Sequence, residues 1–229
     1  MPPRPVDPGP TTPPPSSPTL GVTRILAFGD SMTEGTTSPT FTPFTLTAGR
    51  AESYPFKLQA LLSGRYTAQG VEVYNGGRGG ETTDQATVRF TGVVSEAKPQ
   101  AILLMEGAND LNNPVLSLDV TSITGRMEEL VKDATGRGSQ VFLATIPPQR
   151  AGGAKAAAPG LVDKYNGQLR VMAGKKGATL IDVNALLPLS LIGQDGLHPT
   201  EAGYQRLAEI WQDAIKAKYE AAPALTVRR

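Results

Sequence analysis

Ile25-Leu26-Ala27-Phe28-Gly29-Asp30-Ser31 is an apolar run that stops on a glycine and two polar residues. Four consecutive apolar side chains show no alternation, so a strand built from them is buried on both faces, as the strands of a parallel sheet are. Similar runs recur at Val71–Tyr74, Ala101–Met105, Val141–Ile146 and Thr179–Val183, set off by Gly, Pro or Asp. Between them the apolar spacing changes to that of one helix face. Tyr54, Leu58, Leu61 and Leu62 share such a face, as do Ile123, Met127, Leu130 and Val131. Val162, Tyr165, Leu169 and Met172 form a third set, and Tyr204, Leu207, Trp211 and Ile215 a fourth. Residues 83–97 are a weaker helix candidate because Gly92 interrupts them. Alternating strands and helices with near-continuous apolar strands predict an α/β domain around a five-stranded parallel sheet.

Polar motifs follow three of these strands directly. Gly29-Asp30-Ser31 follows the first, Asn75-Gly76-Gly77-Arg78-Gly79-Gly80-Glu81 the second, and Glu106-Gly107-Ala108-Asn109-Asp110 the third. Ligands of open α/β sheets bind outside the carboxyl ends of the strands, so all three motifs should meet at one rim. A fourth motif, Asp195-Gly196-Leu197-His198-Pro199, lies between the last strand and the last helix. Pro199 suits a first helical turn and places the start of that helix there.

A serine hydroxyl is a weak nucleophile at neutral pH. It needs a base to take its proton, and the base needs a third group to hold its tautomer. Ser31, His198 and Asp195 are the candidates. His198 is the only histidine in the chain, so any histidine base must be this one. A lone histidine is more often a core or surface residue, and Ser31 after a strand also suits a helix cap. The neighbouring Asp195 and the shared rim favour chemistry. Ester attack also creates an oxyanion that needs preorganised donors. The Ser31 and Gly80 backbone N–H groups and the Asn109 side-chain amide are the candidates, although some of these glycines only make turns and an asparagine can simply hold a loop. Asp30 and Asp110 read as structural carboxylates that accept backbone N–H bonds.

These four motifs in this order resemble the SGNH subgroup of the GDSL esterases and lipases, named for Ser, Gly, Asn and His. The four residues correspond to Ser31, Gly80, Asn109 and His198, across about Thr23 to Ile215. Met32 stands where the family name has leucine. Gly77 and Gly79 compete with Gly80 for the donor role; Gly80 is preferred because it precedes Glu81-Thr82 as the family's glycine precedes an acidic residue and Thr or Ser. The resemblance implies a three-layer α/β/α sandwich of flavodoxin-like strand order. It further implies carboxylic ester hydrolysis through an acyl-enzyme with no metal and no organic cofactor. Substrates in the family are short acyl esters, lysophospholipids, thioesters or acetylated sugars, hence a small-molecule, glycan or lipid ester here.

Competing folds fit less well. An α/β-hydrolase elbow needs Gly-x-Ser-x-Gly, and Thr33 stands where the second glycine belongs. A dinucleotide fold needs a third glycine where Thr82 stands. A metal-dependent phosphoesterase on Asp30, Asn109, Asp110, Asp195 and His198 would have scattered ligands. A non-catalytic carbohydrate-binding or adhesion module on a proline-rich stalk is the alternative from another class.

Composition bounds the rest. The 229 residues carry a net charge of +1 and no basic stripe, which argues against a nucleic-acid partner. There is no cysteine, which excludes disulfides and thiolate sites. No apolar run approaches the ~20 residues of a membrane helix. Residues 1–20 form a proline-rich tail, 21–220 the hydrolase domain and 221–229 a second tail. The proline-rich stretch reads as an extended spacer, and the N-terminus, lacking an apolar leader, as a mature form whose signal peptide is gone. Together these suggest a secreted, periplasmic or lipoprotein-tethered protein. Residues 35–52 read as a long loop whose Phe41, Phe44 and Leu46 line an acyl pocket or pack the loop.

Overall fold

The five apolar runs all become strands of one parallel sheet. The computed structural model describes residues 17–35, 53–113 and 119–221. The proline-rich stretch to residue 16, the loop 36–52 with Phe41, Phe44 and Leu46, and the tail from 222 lie outside the described residues. In chain order the strands are β1 (Thr19–Leu20), β2 (Arg24–Gly29), β3 (Glu72–Gly77), β4 (Ala101–Met105), β5 (Gln140–Ala144), β6 (Thr179–Ile181) and β7 (Glu220–Ala221). The helices are α1 (Ser31–Glu34), α2 (Tyr54–Arg65), α3 (Thr83–Ala97), α4 (Ala108–Asn112), α5 (Val120–Gly136), α6 (Leu161–Lys176), α7 (Val183–Leu186) and α8 (Glu201–Tyr219).

The main sheet has the order β3-β2-β4-β5-β6 with every pair parallel. That is the flavodoxin-like order, in which the chain first steps one way from β2 and then back past it. The strands are buried because helices cover them: α2 packs on α8, while α3, α5 and α6 pack on one another in sequence. The result is the three-layer α/β/α sandwich. Ile25, Leu26, Ala27 and Phe28 have no exposure at all, as a central strand of such a sheet requires. Phe28 meets the ring of Phe90 from α3 edge-on at 4.8 Å, which ties the helix layer to the strand that carries the first motif.

Local signals explain the element ends. Gly92 is half-buried at the margin of α3, and Ala86, Phe90, Val93, Val94 and Ala97 still form a buried stripe. A capping box between Thr82 and Gln85 opens this helix, so one glycine does not break it. The last helix begins two residues later than Pro199 suggested. Thr200 is its cap, accepting the Gly203 N–H at 3.1 Å, while Pro199 bridges to Ile192. Thr19–Leu20, placed in the tail by composition, pairs antiparallel with Glu220–Ala221 and joins the two ends of the domain. Among the described residues no helix is long and apolar enough to cross a membrane.

Candidate active site

The switch in strand order puts the ends of β2, β3 and β4 side by side, since Gly29 pairs with both Gly77 and Met105. The three motifs therefore emerge together. After Gly29 the chain turns at once into α1. Asp30 is the cap, its Oδ1 accepting the Met32 N–H at 2.9 Å, and Ser31 is the first helical residue. Because Asp30 does the capping, the Ser31 hydroxyl is not consumed by it. Ser31 Oγ lies 2.8 Å from Nε2 of His198, 167 residues away in the chain.

The Asp-x-x-His spacing explains how His198 is aimed. Asp195 Oδ1 accepts the backbone N–H groups of Leu197 and His198, both at 3.0 Å, which folds residues 195–198 into a tight turn. That turn leaves Oδ2 facing the ring, 2.5 Å from His198 Nδ1. Gly196 makes the turn possible with a φ of +85°. The loop before α6 braces it from outside: Arg150 N–H donates to Gly196 O at 2.9 Å and Lys155 N–H to Asp195 O at 2.8 Å. Burial pushes the Asp195 carboxyl up, but the His198 hydrogen bond and the two backbone donors outweigh it and leave it below its ordinary value. An ionised Asp195 can only accept, so Nδ1 is the donor of this bond, and in that tautomer the lone pair of a neutral imidazole is on Nε2, facing the Ser31 hydroxyl.

The glycine segment and Asn109, the other candidate donors, meet at the ends of β3 and β4. Residues 78–81 form a turn closed by Glu81 N–H on Arg78 O at 3.2 Å. Gly80 occupies its third position with a φ of +75°, the left-handed value such a turn needs there, and its missing side chain faces open space. The Gly77 N–H, a rival donor, is taken by Asn75 Oδ1 at 2.9 Å. Asn109 sits in the first turn of α4, and one hydrogen of its amide goes to Glu81 O at 2.8 Å. Gly80, Thr82, Asn109, Asn112, Asn113, Ala154, Lys155 and Leu197 line a cleft of about 350 Å³. Asp110 faces away from it, its two oxygens accepting the N–H and hydroxyl of Thr83 at 2.8 and 2.7 Å. It joins α4 to the start of α3.

Beneath this surface lies a layer that sequence reading missed. Glu81 and Arg89 form a buried ion pair, and Glu106 is wholly buried beside Asp30. Asp30 Oδ2 and Glu106 Oε2 accept no hydrogen bond among the described residues. Burial pushes the Asp30 carboxyl up to about 7, and burial together with the Asp30 charge raises Glu106 strongly. Arg89 carries a signal that was there to read: it falls on the same helix face as Ala86, Phe90 and Val93, a charge within an apolar stripe. Glu106 carried none, since one acidic residue after a strand looks like a loop residue. Among the described residues no group of three or more His, Asp or Glu side chains is arranged to hold a metal ion.

Fold and site together define a class, the α/β sandwich hydrolases whose functional residues gather at the strand ends. The chain belongs to the GDSL-like lipase/acylhydrolase family, whose model matches residues 27–206, and this is a family of carboxylic ester hydrolases. A lipase/acylhydrolase from Enterococcus faecalis has the same fold, with a TM-score of 0.71 at 21% identity over 88% of this chain and 98% of that one. An acetyl xylan esterase from Geobacillus stearothermophilus superposes with a TM-score of 0.69 at 20% identity, over 86% of this chain and 96% of its own. A multidomain esterase from Ruminococcus flavefaciens is 27% identical over 131 residues, which span 56% of this chain and 17% of that much longer protein.

Proposed function

We propose that the protein is a serine esterase cleaving short acyl esters, with Ser31 as nucleophile, His198 as base and Asp195 as the group that orients it. The observation that carries this reading is the hydrogen-bonded line from Ser31 Oγ to His198 Nε2 at 2.8 Å and from His198 Nδ1 to Asp195 Oδ2 at 2.5 Å. In the proposed reaction His198 takes the Ser31 proton as Oγ attacks the ester carbonyl. The oxyanion rests on the N–H groups of Ser31 and Gly80 and on the free amide hydrogen of Asn109. His198 then gives its proton to the departing alkoxide, which leaves as the alcohol. Water, deprotonated by the same imidazole, releases the acid and restores Ser31.

A carbohydrate O-acetyl ester is the substrate we favour within that class. Thr82, Asn112, Asn113 and Lys155 give the cleft hydrogen-bonding walls that suit a hydroxylated leaving group better than a lipid chain. The acetyl xylan esterase among the structural relatives is consistent with this choice. The proline-rich stretch 2–18 supports a location outside the cytoplasm, as a spacer; activity confined to the cytosolic fraction of source cells would contradict it.

The test is hydrolysis of p-nitrophenyl esters of increasing acyl length, beside acetylated xylan and a lysophospholipid. Turnover of acetyl esters, abolished in Ser31→Ala and untouched by EDTA, is expected. Equal activity in Ser31→Ala would end the assignment, and a preference for long acyl chains or the lysophospholipid would end the carbohydrate reading.

A further inference from the structure

The Gly79-Gly80 turn, whose Gly80 lines the cleft, is inherently soft, because glycine loses more freedom on ordering than any other residue. Something must hold it. Arg89, eight residues on in α3, reaches back beneath it. Its Nε donates to Glu81 Oε1 at 2.8 Å and Oε2 at 3.1 Å, and its Nη2 donates to Oε2 as well. Its Nη1 donates to the carbonyl of Gly76, in β3, at 2.8 Å. The guanidinium lies over the Phe28 ring, 4.2 Å from the centroid. Arg89 is 2% exposed and Glu81 has no side-chain exposure, so neither charge leans on solvent. Arg78 Nη1 stands 3.7 Å from Glu81 Oε1 as a looser neighbour.

The chain of contacts continues past the ion pair. The Glu81 carboxylate is fixed by Arg89, and its main-chain carbonyl accepts the Asn109 amide at 2.8 Å. One residue thus anchors two of the three donors: Gly80 through the peptide bond and Asn109 through the carbonyl. Arg89 ties that residue to β3, whose Gly76 pairs with Phe28 of the strand leading to Ser31. Resting on the esterase reading above, we propose that Arg89 is a positioning residue that sets the oxyanion donors relative to the nucleophile by clamping Glu81. It touches no substrate. Its effect should fall on the transition state, where donor placement matters, and not on ground-state binding.

Arg89→Met alone strands a buried carboxylate and can fail to fold, so the informative protein is Arg89→Met/Glu81→Leu. Replacing a buried ion pair by apolar groups of similar volume is often neutral for stability. With p-nitrophenyl acetate, kcat should fall about 10- to 100-fold, short of the ~10²–10³ lost with a whole donor, while KM stays within about threefold. The same pair of changes in an Asn109→Ala background should cost clearly less than in the wild type, because one of the two donors it positions is already gone and only Gly80 is left to misplace. A purely structural pair would lower the melting temperature and leave this non-additivity absent. A folded double variant with unimpaired kcat, or an equal loss in both backgrounds, overturns the proposal. Should the double variant not fold, Arg89→Lys, which keeps the charge but not the fork, takes its place in the same cycle. An unimpaired kcat or an equal loss in both backgrounds overturns the proposal there too. Activity surviving in Ser31→Ala would instead overturn the reading of the site itself, and Arg89's role with it.

Discussion

Asp195 binds His198 twice: Oδ1 accepts its backbone N–H at 3.0 Å and Oδ2 faces its ring Nδ1 at 2.5 Å. The carboxylate therefore fixes both where the histidine sits and which tautomer it adopts. Asp195→Asn keeps the size of the side chain but can present an amide N–H toward Nδ1, which favours the wrong tautomer. Its kcat for p-nitrophenyl acetate should fall by roughly 10³-fold or more, with the fold intact by circular dichroism. A variant retaining a tenth of the wild-type kcat would deny Asp195 that role.

Asn109 offers a test of the donor side. One amide hydrogen is held by Glu81 O at 2.8 Å, so the other points with little freedom. Asn109→Ala should lower kcat by ~10²–10³ and leave KM nearly unchanged, the pattern of an interaction made only in the transition state. A rise in KM at constant kcat would show that Asn109 binds substrate instead.

Much of this was legible in the chain because the signals are local. Ile25–Phe28 and Ala101–Met105 read as buried strands because nothing polar interrupts them, and Asp195-Gly196-Leu197-His198 reads as a unit because its hydrogen bonds close within four residues. The boundary at Pro199 was missed by two residues, since a proline one position before a cap looks the same as one in the first turn. Thr19–Leu20 was missed because its partner lies about 200 residues away and two residues carry no period. The buried charges escaped for a similar reason. Arg89 and Glu81 become a clamp only when α3 folds back over β3, and Glu106 becomes a buried acid only when β4 sets it beside Asp30. Sequence spacing reports periodicity; it does not report what a charge meets across the sheet.

Two glycines of the second motif should respond differently to alanine. A Cβ at Gly80 meets nothing within 4 Å, so only the φ of +75° is strained. Gly80→Ala should fold and lose about 1–2 kcal/mol, a fall of a few degrees in melting temperature for a chain of this size. A Cβ at Gly77 would stand 2.0 Å from the Glu34 backbone nitrogen, which cannot move without displacing α1. Gly77→Ala should therefore be strongly destabilised or fail to accumulate as soluble protein. Similar melting temperatures for the two variants would contradict this packing of β3 against α1.

The acids under Ser31 set an unusual pH dependence of stability. Asp30 is pushed up to about 7 from an ordinary 3.8, chiefly by burial, and Glu106 is raised by burial and by the Asp30 charge. A raised carboxyl binds more protons in the folded than in the unfolded protein, so its contribution is full below the ordinary value and is lost as pH climbs through the folded one. Asp195 works in the opposite sense, but its window lies at more acid pH, below the ordinary carboxylate value. Between about pH 5 and 7 the buried pair should dominate, and the melting temperature should fall as pH rises. Glu106→Gln removes one of the two charges and should flatten that slope, because an amide of the same shape has no proton to lose and no charge to set against Asp30. Thermal unfolding across about pH 5 to 8, followed by calorimetry for both proteins, reads this directly. A melting temperature that rises over the interval, or an equal slope in Glu106→Gln, would mean that Asp30 and Glu106 do not share a proton-retaining site beneath Ser31.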